Sequence, residues 1–355
     1  MAAALESNPR SARGLVGLIL ALVLGLLMRA GYLAERSAQP DFEQPVVDAG
    51  YHDYWARIQA GLPAQQPEGK LDPELGQHPC LRPPLYPWFL GGVYSLTDGS
   101  YMAPRVVQHG LGMLAILMVW SLARRRLGTR GAGLAAGLFA VHWAPIYFEG
   151  ELHAPALVIP LLLACMAGAL GAAEAKASRA RLWLAGLAGF SGGLAVLARP
   201  NMLFALAALG LWLGLHMRRR GAAAIAIFVV GAGLGIAPAT VRNLSASGEA
   251  VLVTSSGGIN LYLGNRPQAT SFIDDDLSEL GLGPFKTCFD YPAIVAGLSQ
   301  QQGRELSHTE VDQLFRERAM DSIGADFGGF LGRTMNKALI FFGPSEVGHN
   351  KEVSL

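Results

Sequence analysis

The residues that could do chemistry in this chain are carboxylates and arginines placed at the ends of apolar runs. The first is Asp48, in VVDAGYHDYWARIQAG (residues 46–61), with Tyr51, His52 and Asp53 just behind it. Glu149 and Glu151 form an acidic pair in FEGELH, and Glu346 lies in SEVGHN. A carboxylate so placed can take the proton of a hydroxyl nucleophile as it attacks. Arg82, Arg199 and Arg242 also stand at segment ends, and a guanidinium can hold a phosphate through paired charge-assisted hydrogen bonds. Together these suit transfer from a phosphate leaving group. Each residue also has a plainer reading. Asp48 stands where a helix should begin and could simply cap it. Glu149 and Glu151 could lie in a hydrated loop, and Arg199 could be a snorkelling helix end. Tyr51, Trp55 and Ile58 recur at helical spacing and could form an interfacial belt, on a helix lying at a membrane surface with its carboxylate at the rim. His153 reads as a polar helix-start residue rather than a metal ligand, since no second ligand is spaced to it.

The elements that must position these residues are membrane helices. Only 15% of the 355 residues are charged, against about 25% in soluble domains. Gly14–Leu33 is a run of about 20 apolar residues, long enough to cross a bilayer as an uncleaved anchor. Further crossings are expected at Pro104–Leu122, Gly131–Phe148, Leu152–Ala172, Leu182–Leu197, Met202–Met217 and Ala222–Val241. Leu85–Leu96 is short and follows Pro83 and Pro84, so it is expected to be a helix on the membrane that does not span it. With seven crossings, the basic clusters at Arg10/Arg13, Arg124–Arg130, Lys176–Arg181 and Arg218–Arg220 all fall on one side, which the positive-inside rule makes the cytoplasm. The Asp48 loop (35–83), FEGELH, Arg199 and everything after Arg242 then lie outside.

The expected fold is an all-α polytopic membrane protein with about seven or eight transmembrane helices and an external loop region. Residues 1–243 form the membrane core, 244–326 an external polar region, and 327–355 a re-entrant or eighth membrane segment. Within the polar region, VLVTSSGGINLYLGN leans towards β structure, broken at Gly257-Gly258. Ser307–Ile323 reads as a helix, with Thr309 as cap and Val311, Leu314, Phe315 and Ala319 on one face. Net charge is +1, so no basic field points to nucleic acid. CxxC, HExxH, a P-loop and a strand-linked GxGxxG are all absent from the sequence. No metal site is expected from spacing, and metal dependence stays open. Cys80 and Cys288 both fall outside, where a disulfide could form.

Six segments, in order, resemble the polytopic GT-C glycosyltransferases of the family 39-like class, which includes protein O-mannosyltransferases and the aminoarabinose transferase of lipid A. They are VVDAGYHDYWARIQAG, RPPLYPWFLGGVYSL, YFEGEL, LAVLARPN, PATVRNLSASGEAVLVTSSGGINLYLGN and FFGPSEVGHN. The resemblance implies a GT-C fold in the bacterial inner membrane, an undecaprenyl- or dolichyl-phosphate sugar donor, and an active site on the external face. The acceptor would be a glycan, lipid or protein hydroxyl. Asp48 falls on the family's first-loop Asp, regarded as the catalytic base. Many members carry Asp-Glu there, whereas this chain has Asp48-Ala49, which puts a two-carboxylate mechanism at that loop in doubt. Glu149 or Glu151 falls where a second acid is often found. Arg82 and Arg199 match positions suited to the donor phosphate, with Arg242 a further candidate; Tyr51, His52, Asp53 and Glu346 would lie near the acceptor or sugar. Relatives usually have further crossings after the last motif, so a shortened chain is expected. Two other readings are a transporter of polyprenyl-linked sugars, which would place ionisable residues near the midplane, and a non-catalytic membrane subunit.

Overall fold

The computed structural model describes residues 9–65, 81–217, 221–266, 268–269, 277–281 and 291–343. Among these residues there are thirteen α-helices and no strand. Five helices are long and apolar enough to cross a membrane: α1 (Pro9–Ser37, of which Leu15–Ser37 qualifies), α4 (Met102–Val141), α6 (Pro155–Glu174), α7 (Ser178–Ala198) and α9 (Ala222–Ser247). α8 (Met202–Met217) is apolar but shorter. The chain divides into two compact units, Met1–Gln65 with Pro83–Ala239, and Gln66–Arg82 with Thr240–Leu355.

In the first unit, α4 runs for 40 residues but is not one straight rod. Gly128 interrupts it with φ 67° and ψ −176°, in a backbone region open mainly to glycine. Gly25 of α1 meets both Ile116 and Ala140, which flank Gly128 symmetrically. The limbs 102–127 and 129–141 therefore fold back side by side against α1. Near the Gly128 turn, Arg125 and Arg126 pair with Glu174 at the end of α6 (2.9 and 3.5 Å), so this basic turn and the end of α6 share one end of the bundle.

Small residues let these helices approach closely, as lipid-embedded packing requires. Gly17 of α1 faces Gly133 of α4 backbone to backbone. Gly189 and Gly193 of α7 press on the carbonyls of Phe228 and Ala232 in α9, and Gly231 and Gly235 of α9 press back on those of Gly186 and Phe190. Two GxxxG pairs thus meet, and a Cβ on any of the four would collide with backbone.

Two short helices pack together at the other end. α2 (Val47–Gln59) lies on α3 (Leu85–Thr97), with Gly91 against the carbonyl of Ala56. The non-spanning helix expected at Leu85–Leu96 is thus seen as thirteen residues. α2 differs from expectation in two respects. Its N-cap is Val46, and Asp48 lies inside the first turn, where the helix dipole still favours a carboxylate. Its aromatic face is also not displayed as a belt: Tyr51 and Trp55 are buried in protein, while Ile58 is exposed. α5 (Trp143–Gly150) continues the second limb of α4 after a break at His142, whose ring accepts from the Ala144 amide.

In the second unit, α10 (Gly257–Asn265) packs on α12 (His308–Ala325), with α11 (Tyr291–Gln302) and α13 (Phe327–Phe342) alongside α12. The β-leaning run does not become a strand. Val251 and Val253 are buried and Leu252 is exposed, the expected alternation. However, their carbonyls accept from the Asn243 amide and the Thr240 hydroxyl, so the end of α9 takes the place of a partner strand. The following Gly257-Gly258 opens α10. The α12 cap is Ser307, not Thr309: Ser307 and Glu310 form a capping box. Glu249 adds to it by accepting from the amides of His308 and Thr309. Val311, Phe315 and Ala319 form the buried face as expected.

Candidate active site

The polar residues of the first unit gather around the turn Glu149–Leu152, between α5 and α6. Both glutamates point inward, only 3% and 2% exposed. Glu149 receives a two-pronged contact from Arg29 of α1, Nε at 2.6 Å and Nη2 at 2.8 Å. Arg29 also donates from Nη1 to the carbonyls of Gly25 and Ala140. His109 of α4 donates through Nδ1 to Glu149 at 3.1 Å. Gly112 leaves the space that the Glu149 carboxylate fills, and a Cβ there would collide with it. Glu151 pairs with Arg36, one end of α1 further out, at 2.7 Å, and Arg36 also holds Asp41 at 2.6 Å.

The backbone of the turn is held as firmly as its side chains. Gln108 donates to the carbonyls of both Glu149 and Glu151, and Arg105 donates to that of Gly150. Tyr86 of α3 orients Gln108 by donating to its side-chain oxygen at 2.6 Å. The next carbonyl, that of Leu152, is met by His52 Nδ1 at 2.9 Å. A carbonyl can only accept, so this nitrogen carries the proton. Four successive carbonyls are thus satisfied by side chains of α2 and α4. Buried carbonyls need such partners, and none is supplied by regular structure here.

The structure brings some expected residues together and separates others. His52 sits on the Glu149–Leu152 turn, its ring 4.8 Å from Tyr86 and 5.6 Å from His153. Asp48, half-buried, lies one helical turn before His52 on the same face of α2. Asp53 turns instead towards α3, accepting from Tyr94 at 2.5 Å and from Arg57 at 3.0 Å. Burial pushes its pKa above the ordinary aspartate value despite both partners. Arg57 lies over the rings of Tyr94 and Tyr101 and bonds the Gly99 carbonyl. Beside this latch a cleft of about 520 Å³ opens, lined by Ser37, Glu43, Asp98, Ser100 and Tyr101 among others. Arg199 is exposed in the turn from α7 to α8. Arg82 and Arg242, each partly buried, belong to the second unit. Glu346, Cys80 and Cys288 lie outside the described residues. Among the described residues no group of three side chains is arranged to hold a metal.

Sequence reading missed Arg29, Arg36, Arg105, Gln108 and His109. The signal was present: Arg29 interrupts an apolar run, and Arg105, Gln108, His109 and Gly112 share one face of a membrane-length helix. Ionisable residues so placed are functional candidates by default.

Apolar helices of membrane length, with a buried ionic cluster at one end of the bundle, define a multi-pass membrane protein. Its class follows from a family comparison. Residues 81–241 match the model of the dolichyl-phosphate-mannose-protein mannosyltransferase family, which supports a membrane glycosyltransferase of the GT-C, family 39-like type. The match takes in Arg82, Glu149, Glu151 and Arg199; Asp48 lies before it and Arg242 just after it. Neither a curated protein nor a solved structure matches the chain.

Proposed function

We propose that this glycosyltransferase moves a sugar from a polyprenyl-phosphate donor to an acceptor hydroxyl on the external face of a bacterial inner membrane. The acceptor oxygen attacks the anomeric carbon, forming the new C–O bond. The bond from that carbon to the phosphate oxygen breaks with its electron pair, and the lipid phosphate departs. Asp48 takes the hydroxyl proton. Arg82, Arg199 and Arg242 are the candidates for holding the departing phosphate, and Tyr51, His52 and Asp53 shape the sugar and acceptor side. Glu149 and Glu151 serve as positioning residues, because each carboxylate is already occupied by an arginine.

The observation that carries the assignment of the base is the contrast in burial. Asp48 is only half-buried at the start of α2, whereas Glu149 and Glu151 are 3% and 2% exposed and held in ion pairs. Topology supports the external placement. If the two limbs of α4 and the shorter α8 each cross, α1, α4, α6, α7, α8 and α9 would make seven crossings, which would put the basic clusters of the sequence on one side. The Arg125–Glu174 pair agrees with this, since it joins two of the ends assigned to the cytoplasm.

The test is transfer of labelled sugar from polyprenyl phosphate to a membrane extract, by the chain and its Asp48→Asn variant in parallel. Loss of transfer by a factor of about 100 or more in a correctly inserted variant is expected for a missing general base. Full transfer by the variant would remove Asp48 from the role.

A further inference from the structure

The last described helix, α13, carries an apolar face that is exposed among the described residues of its own unit. Phe327, Leu331, Met335, Leu339 and Phe342 are 58, 53, 61, 64 and 84% exposed. At 100° per residue they lie in one stripe about 120° wide along the whole helix. The opposite face is tied down. Arg333 pairs with Asp326 at 3.2 Å, and Lys337 donates to the Gly264 carbonyl of α10 at 2.5 Å. Asp326 also caps the helix by accepting from the Gly329 amide. The helix is therefore fixed in rotation, with its apolar stripe directed away from α10.

Five large apolar side chains are costly to leave in water, at about 25 cal/mol for each Å² exposed. Yet α13 is a poor crossing helix. Its 16 residues span about 24 Å, as do those of α8, but unlike α8 it is apolar on one face only. Its tethered face also carries Arg333 and Lys337, which would enter the hydrocarbon core unless they moved. An amphipathic helix of this length, in a chain that already has membrane-length helices, meets both constraints by lying in the plane of the bilayer.

We propose that α13 is an in-plane membrane anchor. Its Phe327–Phe342 stripe inserts at the boundary between lipid headgroups and acyl chains, holding the 240–343 region at the membrane surface. The occupant of the stripe is lipid, and phenylalanines at both ends fix the helix level. This inference concerns membrane contact alone and stands whether or not Asp48 is the base.

The test places a nitroxide label in turn at Leu331, Met335, Leu339 and Asn336 of the full chain, with Cys80, Cys165 and Cys288 replaced by alanine, in vesicles of phosphatidylethanolamine and phosphatidylglycerol. The side chains at all four sites are exposed. Accessibility to oxygen is compared with accessibility to a water-soluble nickel complex. The expected result is several-fold preference for oxygen at Leu331, Met335 and Leu339, all at one shallow depth of about 5–10 Å, with Asn336 on the water side. Depth rising steadily along the helix past the midplane would show a crossing segment and overturn the proposal. Access of the nickel complex to all four sites would also overturn it, as would shielding of the stripe from both reagents, which would mean that protein covers it.

Discussion

Replacing Arg29 by methionine should expose how much the site depends on its buried ion pairs. The side chains are of similar length, so packing along α1 is largely kept. What is lost is the two-pronged contact to Glu149 and the hydrogen bonds to Gly25 and Ala140. Glu149 stays 3% exposed, with His109 its one remaining partner among these contacts. Breaking a buried pair by removing one member costs about 3–5 kcal/mol, mostly because a charge is left without compensation. At roughly 2 °C per kcal/mol for a chain of this size, the melting temperature in detergent should fall by about 6 °C or more. The double variant Arg29→Met/Glu149→Met removes both charges and should recover most of that loss, since apolar replacement of a whole buried pair is often neutral. The reasoning would be refuted if Arg29→Met melted within 1 °C of the parent, or if the double variant were no more stable than the single. The first result would mean that water reaches Glu149; the second, that Arg29 acts through its carbonyl contacts alone.

Three further outcomes follow from particular contacts. Gly112→Ala should mimic the loss of Arg29, because its Cβ would occupy the space of the Glu149 carboxylate; a cost of about 1–3 kcal/mol by thermal melting is expected for overpacking. Asp98→Gly should stabilise by a few tenths to about 1 kcal/mol, since Asp98 ends α3 at φ 50° with an exposed side chain, a conformation glycine adopts freely. Burial alone would raise the pKa of Glu249, but hydrogen bonds from Thr309 and His308 outweigh it and hold it below the usual value. A depressed folded pKa gives stability that is present above the unfolded value of about 4.3 and is lost as pH falls through the folded one. The melting difference between the parent and Glu249→Gln should therefore be constant near neutrality and shrink on acidification below about pH 4.3.

The helices were legible because each is coded locally. α8 and α13 have the same ends as their apolar runs in the sequence, and α3 is short for the reason its prolines and length indicate. The capping of α12 was misplaced by two residues because Ser307 and Thr309 are both good caps; the choice falls to Ser307 through Glu310 three residues on, with Glu249 reaching in from far along the chain. The 251–253 segment shows a different limit. Its alternation was real, but alternation reports which side chains are buried and not what satisfies the backbone, and here Asn243 and Thr240 do so. The site was half legible. Its acids stand out as charges at helix ends, whereas their arginines sit in runs that hydropathy treats as uniform, and pairing across more than a hundred residues leaves no local pattern.

That pairing also explains why the site would keep buried ions at all. A buried ion pair adds little net stability over well-packed apolar groups, so Arg29–Glu149 and Arg36–Glu151 are poorly explained as glue. They do fix geometry. Two arginines on α1 meet two glutamates two residues apart in one turn, which sets both the rotation and the height of α1 against that turn. Arg105 and Gln108 then hold the intervening carbonyls, and His52 takes the next one. His52 is one turn from Asp48 on the same helix, so the chain of contacts from α1 ends where α2 presents its carboxylate. An apolar cluster could match the stability, but it would let α1 slide or turn by one residue at little cost. If the pairs serve placement, the double variant Arg29→Met/Glu149→Met should keep its melting temperature and still lose transfer, by a lower kcat with little change in KM for the donor. A double variant that melts and transfers like the parent would show that Asp48 is placed by α2 and α3 alone.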